Sequence, residues 1–255
     1  MNAILKTLKK PVGLRLMTHV VAGYPDLKTS EDLLLTMSEA GADFIEIQIP
    51  FSDPMADGPV IQQSSQTALK NGMSLNRLFD QLKDIRKEVK IPLLLMGYLN
   101  PVLNMGIENF CRKASECGID GIILPDLPLN EFVEKYKTMF KQYNLCNIFL
   151  ITPQTSEERI REIDKQGSGF NYLVSTYSIT GTSKNLGASE PYFSRISQMN
   201  LKNPSLIGFG ISNKENFEIA CRHANGAIIG TAFIKALSES GIIEEKIDTF
   251  VKSIF

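Results

Sequence analysis

The sequence predicts an α/β protein built as a (β/α)8, or TIM, barrel in a single domain spanning residues 1–255. Three observations predict it. Eight short apolar runs recur along the chain, each is followed by an amphipathic stretch, and no linker, repeat or low-complexity segment divides them. Short strands that are nearly all apolar and alternate with helices indicate a parallel sheet covered on both faces. Eight such units in about 250 residues is the barrel signature, with a doubly wound open sheet as the structural rival.

The strand-type runs fall at 14–22, 44–49, 91–96, 121–124, 147–151, 172–174, 205–208 and 227–229. Helical patterning fills 30–39, 74–89, 107–117, 131–143, 157–166, 191–199, 214–222, and 231–237 with 244–254. Ser74, Asn130, Ser156 and Asn213 stand where a side-chain oxygen can cap orphan helix amides. Ala40-Gly41-Ala42-Asp43 and Cys117-Gly118-Ile119-Asp120 read as helix stops.

Composition bounds the function classes. Apolar residues make up 43% and charged residues 22% of the 255, and the net charge is −1. That balance gives no reason to expect nucleic acid or an anionic membrane as partner. No apolar run is long enough to span a bilayer, and residues 1–10 lack a signal-type apolar core. The four scattered cysteines, without a CxxC pair, read as packed, reduced thiols of a cytoplasmic protein.

The most informative segment is Glu46 to Asp57. Glu46 lies inside an apolar strand, where an ionised group is costly to bury. A loop with Asp53 and Asp57 follows, so one site can hold carboxyl groups in different surroundings and with separated proton affinities. Turn hydrogen bonding by these aspartates is the bland alternative. In a barrel the active site lies at the C-terminal strand ends. That rule selects Glu46, Asp53, Asp57, Tyr98, Asn100, Asp126 and Thr152, and marks the long Ser/Thr/Gly-rich segment 175–191 as a candidate lid.

The seventh strand runs into Gly208-Phe209-Gly210-Ile211-Ser212, and the eighth into Gly230-Thr231 at a helix start. Glycines let backbone amides approach an anion, and a helix N-terminus adds its positive dipole end. Barrels often build a phosphate site from these two loops, which predicts a small phosphorylated ligand. Only His19 and His223 are present, so a metal-binding aldolase cluster is missing, and His19 alone reads as a packed residue. No lysine ends a strand, and Lys235 falls within the last barrel helix, which argues against Schiff-base chemistry. Carboxylate acid–base work on a phosphorylated substrate remains, with Phe209, Tyr172, Tyr98, Leu124, Leu150 and Ile228 as candidates for an apolar pocket.

These residues carry a resemblance. Ala42-Asp43-Phe44-Ile45-Glu46-Ile47 and Pro50-Phe51-Ser52-Asp53-Pro54-Met55-Ala56-Asp57-Gly58-Pro59 are similar to the tryptophan synthase α-subunit family. The likeness continues through Tyr98-Leu99-Asn100-Pro101, Asp126-Leu127-Pro128, Ile179-Thr180-Gly181-Thr182 and Gly208-Phe209-Gly210-Ile211-Ser212, covering essentially the whole chain. It implies retro-aldol cleavage of indole-3-glycerol phosphate to indole and glyceraldehyde 3-phosphate. It also implies a β-subunit partner in an α2β2 complex, which receives the indole and carries the pyridoxal phosphate; no cofactor is implied in this chain. By matching position, Glu46 resembles the general acid–base group and Asp57 the carboxylate that binds the indole N–H. Thr180 resembles the lid residue that orients Asp57. Gly181, Phe209, Gly210, Gly230 and Thr231 resemble the phosphate cradle, and His19 joins the expected indole-pocket positions.

The chain departs from the family pattern at three places. Gln48 stands where the pattern has glycine, Ser178 opens the lid motif where it has glycine, and His19 takes an apolar pocket position. Gln48 adds bulk and two donors, and Ser178 removes a hinge. An active lyase is the leading reading, and a catalytically attenuated chain that mainly activates the β subunit is the alternative.

Overall fold

Apolar strands that bury both faces need a layer on each side, and the chain supplies side chains inside and helices outside. The computed structural model describes residues 3–9, 15–175 and 186–255. In chain order these form α1 (Ala3–Leu8), β1 (Arg15–Val21), α2 (Leu27–Ala40), β2 (Phe44–Gln48), α3 (Pro59–Lys70), α4 (Leu75–Leu82), β3 (Leu93–Met96), α5 (Leu99–Met105) and α6 (Ile107–Glu116). There follow β4 (Gly121–Ile123), α7 (Leu129–Glu131) running through a π turn into α8 (Lys137–Gln142), β5 (Cys146–Ile148), β6 (Leu150–Ile151) and α9 (Glu157–Gln166). The last elements are β7 (Asn171–Val174), α10 (Glu190–Gln198), β8 (Ser205–Gly208), α11 (Lys214–His223), β9 (Gly226–Ile229), α12 (Thr231–Ser238) and α13 (Ile243–Ile254).

All strand pairs are parallel, in the order β5-β4-β3-β2-β1-β9-β8-β7-β6. The two ends of that order are halves of one chain segment interrupted at Phe149, whose carbonyl still accepts from Tyr172 N–H at 3.1 Å. The sheet therefore closes, and the open-sheet rival is excluded.

Alternation along each strand sorts side chains into two cores. Met17, Phe44, Leu94, Met96, Ile123, Ile148, Tyr172, Leu206 and Ile228 fill the barrel, whose floor is plugged by Ile4 and Leu8 of α1. Leu16, Val20, Ile45, Ile47, Leu93, Leu95 and Ile122 face the helix layer instead. By the same parity His19, Glu46 and Gln48 point into the barrel.

Ser74, Ser156 and Asn213 cap α4, α9 and α11 as expected, each accepting an amide three residues on. Asn130 does not cap: its helix starts one residue earlier, after Pro128, with no side-chain cap. The N-terminus of α2 is set by Asp26, which accepts from Thr29 N–H, so that helix begins before the predicted start. It stops at Gly41, where φ is 105° and a side chain would be strained. Helices α1, α3 and α5 were not expected from the sequence: α1 and α5 are short, and α3 follows directly on the Pro- and Asp-rich loop 50–58. No helix among the described residues is long and apolar enough to cross a membrane.

Candidate active site

A cavity of about 320 Å³ opens at the C-terminal end of the barrel. Its walls carry Glu46 and His19 from the strands, Asp57 from the loop after β2, and Met96, Tyr172 and Ile228 from the interior. Gly210 to Ser212 and Gly230 to Ala232 complete one end, together with Lys235.

Strand register builds the acidic end. His19 pairs with Glu46 across β1 and β2, and both side chains point inward. Exposure falls to 0% for Glu46, 1% for Gln48, 6% for Asp57 and 7% for His19, so these polar groups are desolvated together. His19 Nδ1 lies 2.5 Å from Glu46 Oε1, whereas Glu46 Oε2 and His19 Nε2 are buried and have no hydrogen-bond partner among the described residues. Buried unpaired polar atoms are costly and cluster where a ligand or a reaction makes use of them.

Asp57 is held from below and from the side. Gln48 Nε2 donates to its Oδ2 at 3.1 Å, and Gln62 Nε2 donates to its backbone carbonyl at 2.7 Å. Tyr98 OH accepts from Ala56 N–H at 3.1 Å, which sets the phenol beside the Asp57 carboxyl, whose charged form it favours. Gln48 reads in the sequence as intrusive bulk; in the fold it is the donor that fixes Asp57. Asp57 also immediately precedes the N-terminus of α3, where a negative charge is favoured.

Burial pushes the Asp57 carboxyl above its usual value of 3.8, with the charge of Glu46 adding to it, while His19, Tyr98 and Gln48 pull the other way. Burial likewise pushes the Tyr98 phenol up to about 12. Tyr172 is shifted upward by burial and then by the two carboxylates, so its hydroxyl stays neutral. A carboxyl with a raised folded-state pKa binds protons more tightly than in the unfolded chain, so it lowers stability once ionised. Asp57→Asn should therefore unfold at higher denaturant than wild type at pH 7. The gap should narrow as pH falls below the folded pKa of Asp57 toward 3.8. Urea melts across that range check it; a gap independent of pH would show that Asp57 carries no buried charge.

At the other end Phe209 and Gly210 both adopt positive φ, 69° and 75°, which turns the backbone after β8 toward the cavity. A Cβ at Gly208 would sit 2.6 Å from the Tyr172 hydroxyl, so no larger residue fits there. Thr231 opens α12 behind Gly230, with its orphan amides at the cavity edge. Lys235 lies one turn later on the same face, a placement that spacing from Thr231 could have revealed. Asn216, Ser212 and Ile61 also line the cavity without having been selected from sequence.

Not every expected residue comes together here. Thr180, Gly181 and Ser178 lie outside the described residues. Asp53 is exposed and accepts from Ser52, and Asp126 caps α5 by accepting from Leu99 N–H. Leu124, expected in the pocket, faces the helix layer, because alternation along β4 turns Ile123 inward and its neighbour outward. Leu150 packs half-buried against the barrel interior and Tyr98 braces the Asp57 loop; neither is among the cavity walls. Among the described residues no cluster of three or more His, Cys, Asp or Glu could hold a metal ion.

The sequence model of the tryptophan synthase alpha chain family matches residues 5–253. The chain belongs to the tryptophan synthase alpha chain family. It is 53% identical over 255 residues to the tryptophan synthase alpha chain of Flavobacterium johnsoniae, covering 100% of both chains. That of Flavobacterium psychrophilum is 52% identical over 256 residues, again covering 100% of each. Among solved structures, the alpha subunit of tryptophan synthase from Legionella pneumophila superposes with a TM-score of 0.91 at 31% identity, covering 100% of this chain and 97% of that one. A chain of the Pyrococcus furiosus tryptophan synthase complex gives 0.84 at 33% identity, covering 94% and 97%. As a member of the tryptophan synthase alpha chain family, the protein is a carbon–carbon lyase of tryptophan biosynthesis.

Proposed function

We propose that the chain cleaves indole-3-glycerol phosphate in the cavity at the barrel mouth, with Glu46 as general acid–base and Asp57 as the indole N–H acceptor. The observation that carries this reading is a carboxyl group with one oxygen unpartnered among the described residues, set in the wall of a cavity that also holds Asp57 and the glycine turns. The indole would lie between Tyr172, Ile228 and Met96, and the phosphate against Gly210, Gly230 and Thr231, with Gly181 as a further cradle residue.

The proton accounting closes on one group. Glu46 gives a proton to indole C3 and takes one from the glycerol hydroxyl, so its charge is unchanged over the cycle. The bond from C3 to the glycerol carbon breaks, its electron pair returns to the indole ring, and the hydroxyl carbon becomes the aldehyde. Asp57 stabilises the positive charge that C3 protonation places on the ring, which a nearby carboxylate does best where water is excluded.

The indole passes to a tryptophan synthase β subunit, the partner in an expected α2β2 complex, where pyridoxal phosphate supplies the chemistry that joins it to serine. The Pyrococcus furiosus relative was solved as a tryptophan synthase complex, which supports a partner of this kind. The attenuated-activator reading rested on Gln48 and Ser178; the hydrogen bond from Gln48 to Asp57 favours the enzyme.

The test couples the lid to the partner. If Thr180 reaches Asp57 only on closure of 175–191, the β subunit should raise lyase turnover, and Thr180→Val should remove most of that gain. Moving from about 1% to about 99% closed requires roughly 5.5 kcal/mol of differential binding, so part of it suffices for a large activation. Linkage is reciprocal, so glycerol 3-phosphate should tighten association with the β subunit. Equal turnover of wild type and Thr180→Val in the complex would end this account of the lid. Absence of lyase activity with and without partner would instead favour the activator.

A further inference from the structure

We infer that His19 is the positioning residue for Glu46: it occupies Oε1 and so makes Oε2 the oxygen that exchanges protons with substrate. The inference rests on the proposed acid–base role of Glu46. Register places His19 directly opposite Glu46 on adjacent parallel strands, and the Nδ1 to Oε1 contact of 2.5 Å is closed to solvent. The terminal torsion of a glutamate is broad and roughly two-fold, so an untethered carboxyl would interchange its oxygens. A hydrogen bond at one oxygen removes that freedom. What is left is Oε2, which is buried, has no partner among the described residues, and belongs to a side chain in the cavity wall.

A Cβ built at Gly230 would lie 3.4–3.5 Å from His19 Cβ, Cγ and Cδ2, so the ring packs beside the turn that opens α12. Among the described residues Nε2, one bond from Cδ2, has no partner, which leaves Nδ1 as the ring nitrogen with a hydrogen bond. The proximity to Gly230 defines the rival role, service to the phosphate end, and the test separates the two.

His19→Phe keeps the ring and removes the donor, while His19→Asn offers an amide N–H near the place of Nδ1. Both should be assayed on indole-3-glycerol phosphate with a β subunit present, beside Glu46→Gln, with unfolding midpoints recorded. Loss of positioning should lower kcat of His19→Phe by roughly 10- to 100-fold while KM and glycerol 3-phosphate affinity hold, and His19→Asn should recover most of it. Unchanged kcat in His19→Phe, or a loss that His19→Asn does not recover, overturns the inference. So does a loss confined to KM and glycerol 3-phosphate affinity, which would assign His19 to the phosphate end. If Glu46→Gln is inactive and His19→Phe normal, only the role of His19 fails; if Glu46→Gln is normal, both fail. Should His19→Phe not fold, nitrogen NMR of wild type decides, since an Nδ1 free of any hydrogen bond also overturns it.

Discussion

Glu46→Gln is expected to lower lyase turnover by roughly 10²–10⁴-fold, the usual yield of a positioned general acid–base group. The substitution is nearly isosteric, and the site tolerates it sterically because Glu46 packs within strand β2, where the backbone ladder holds its place. Glutamine cannot shuttle a proton between the glycerol hydroxyl and indole C3, and no other carboxyl replaces it. Asp57 is tied by Gln48 and its loop is braced by Tyr98 through Ala56 N–H, and Asp53 faces solvent. Binding of the phosphate group, which the glycine turns and not Glu46 would hold, should be little changed, so the effect belongs in kcat rather than KM. Steady-state kinetics on indole-3-glycerol phosphate, with glycerol 3-phosphate as a competing ligand, make the comparison. Turnover near wild type would take Glu46 out of the mechanism.

Gly210→Leu is expected to raise the KM for substrate by roughly 100-fold or more, on the view that backbone amides hold the phosphate. Two effects act together. Gly210 has φ 75°, where an L side chain costs about 1 kcal/mol or more, and a leucine there adds bulk to a residue of the cavity wall. The nearest atom to an added Cβ is Ser175 Oγ at 3.5 Å, so the first carbon fits and the obstruction comes from the rest of the side chain. Thr231→Ala should matter less, because it removes one hydroxyl and leaves the amides of α12. Calorimetric titration with glycerol 3-phosphate distinguishes these outcomes. Unaltered affinity in Gly210→Leu would place the phosphate elsewhere.

The alternation of apolar runs with helical stretches, the glycine turns after the seventh and eighth strands, and the carboxylates at 46 and 57 were all legible from sequence alone. Each is written locally: period, turn chemistry and the oddity of an acid in a strand need only neighbouring residues. The motif around Asp57 also carried the family. Three features were decided only by the tertiary structure. Gln48 and Asp57 are close in sequence, but their hydrogen bond depends on how the loop folds back over the barrel mouth. The facing of Leu124 depended on strand phase, since a shift of one residue along β4 exchanges the inside for the outside. His19 and Glu46 meet because two strands 27 residues apart align in one register. Register between strands is set by how the whole barrel closes, not by either segment. Thus the kinds of group that meet substrate were in the sequence, while their pairing belonged to the fold.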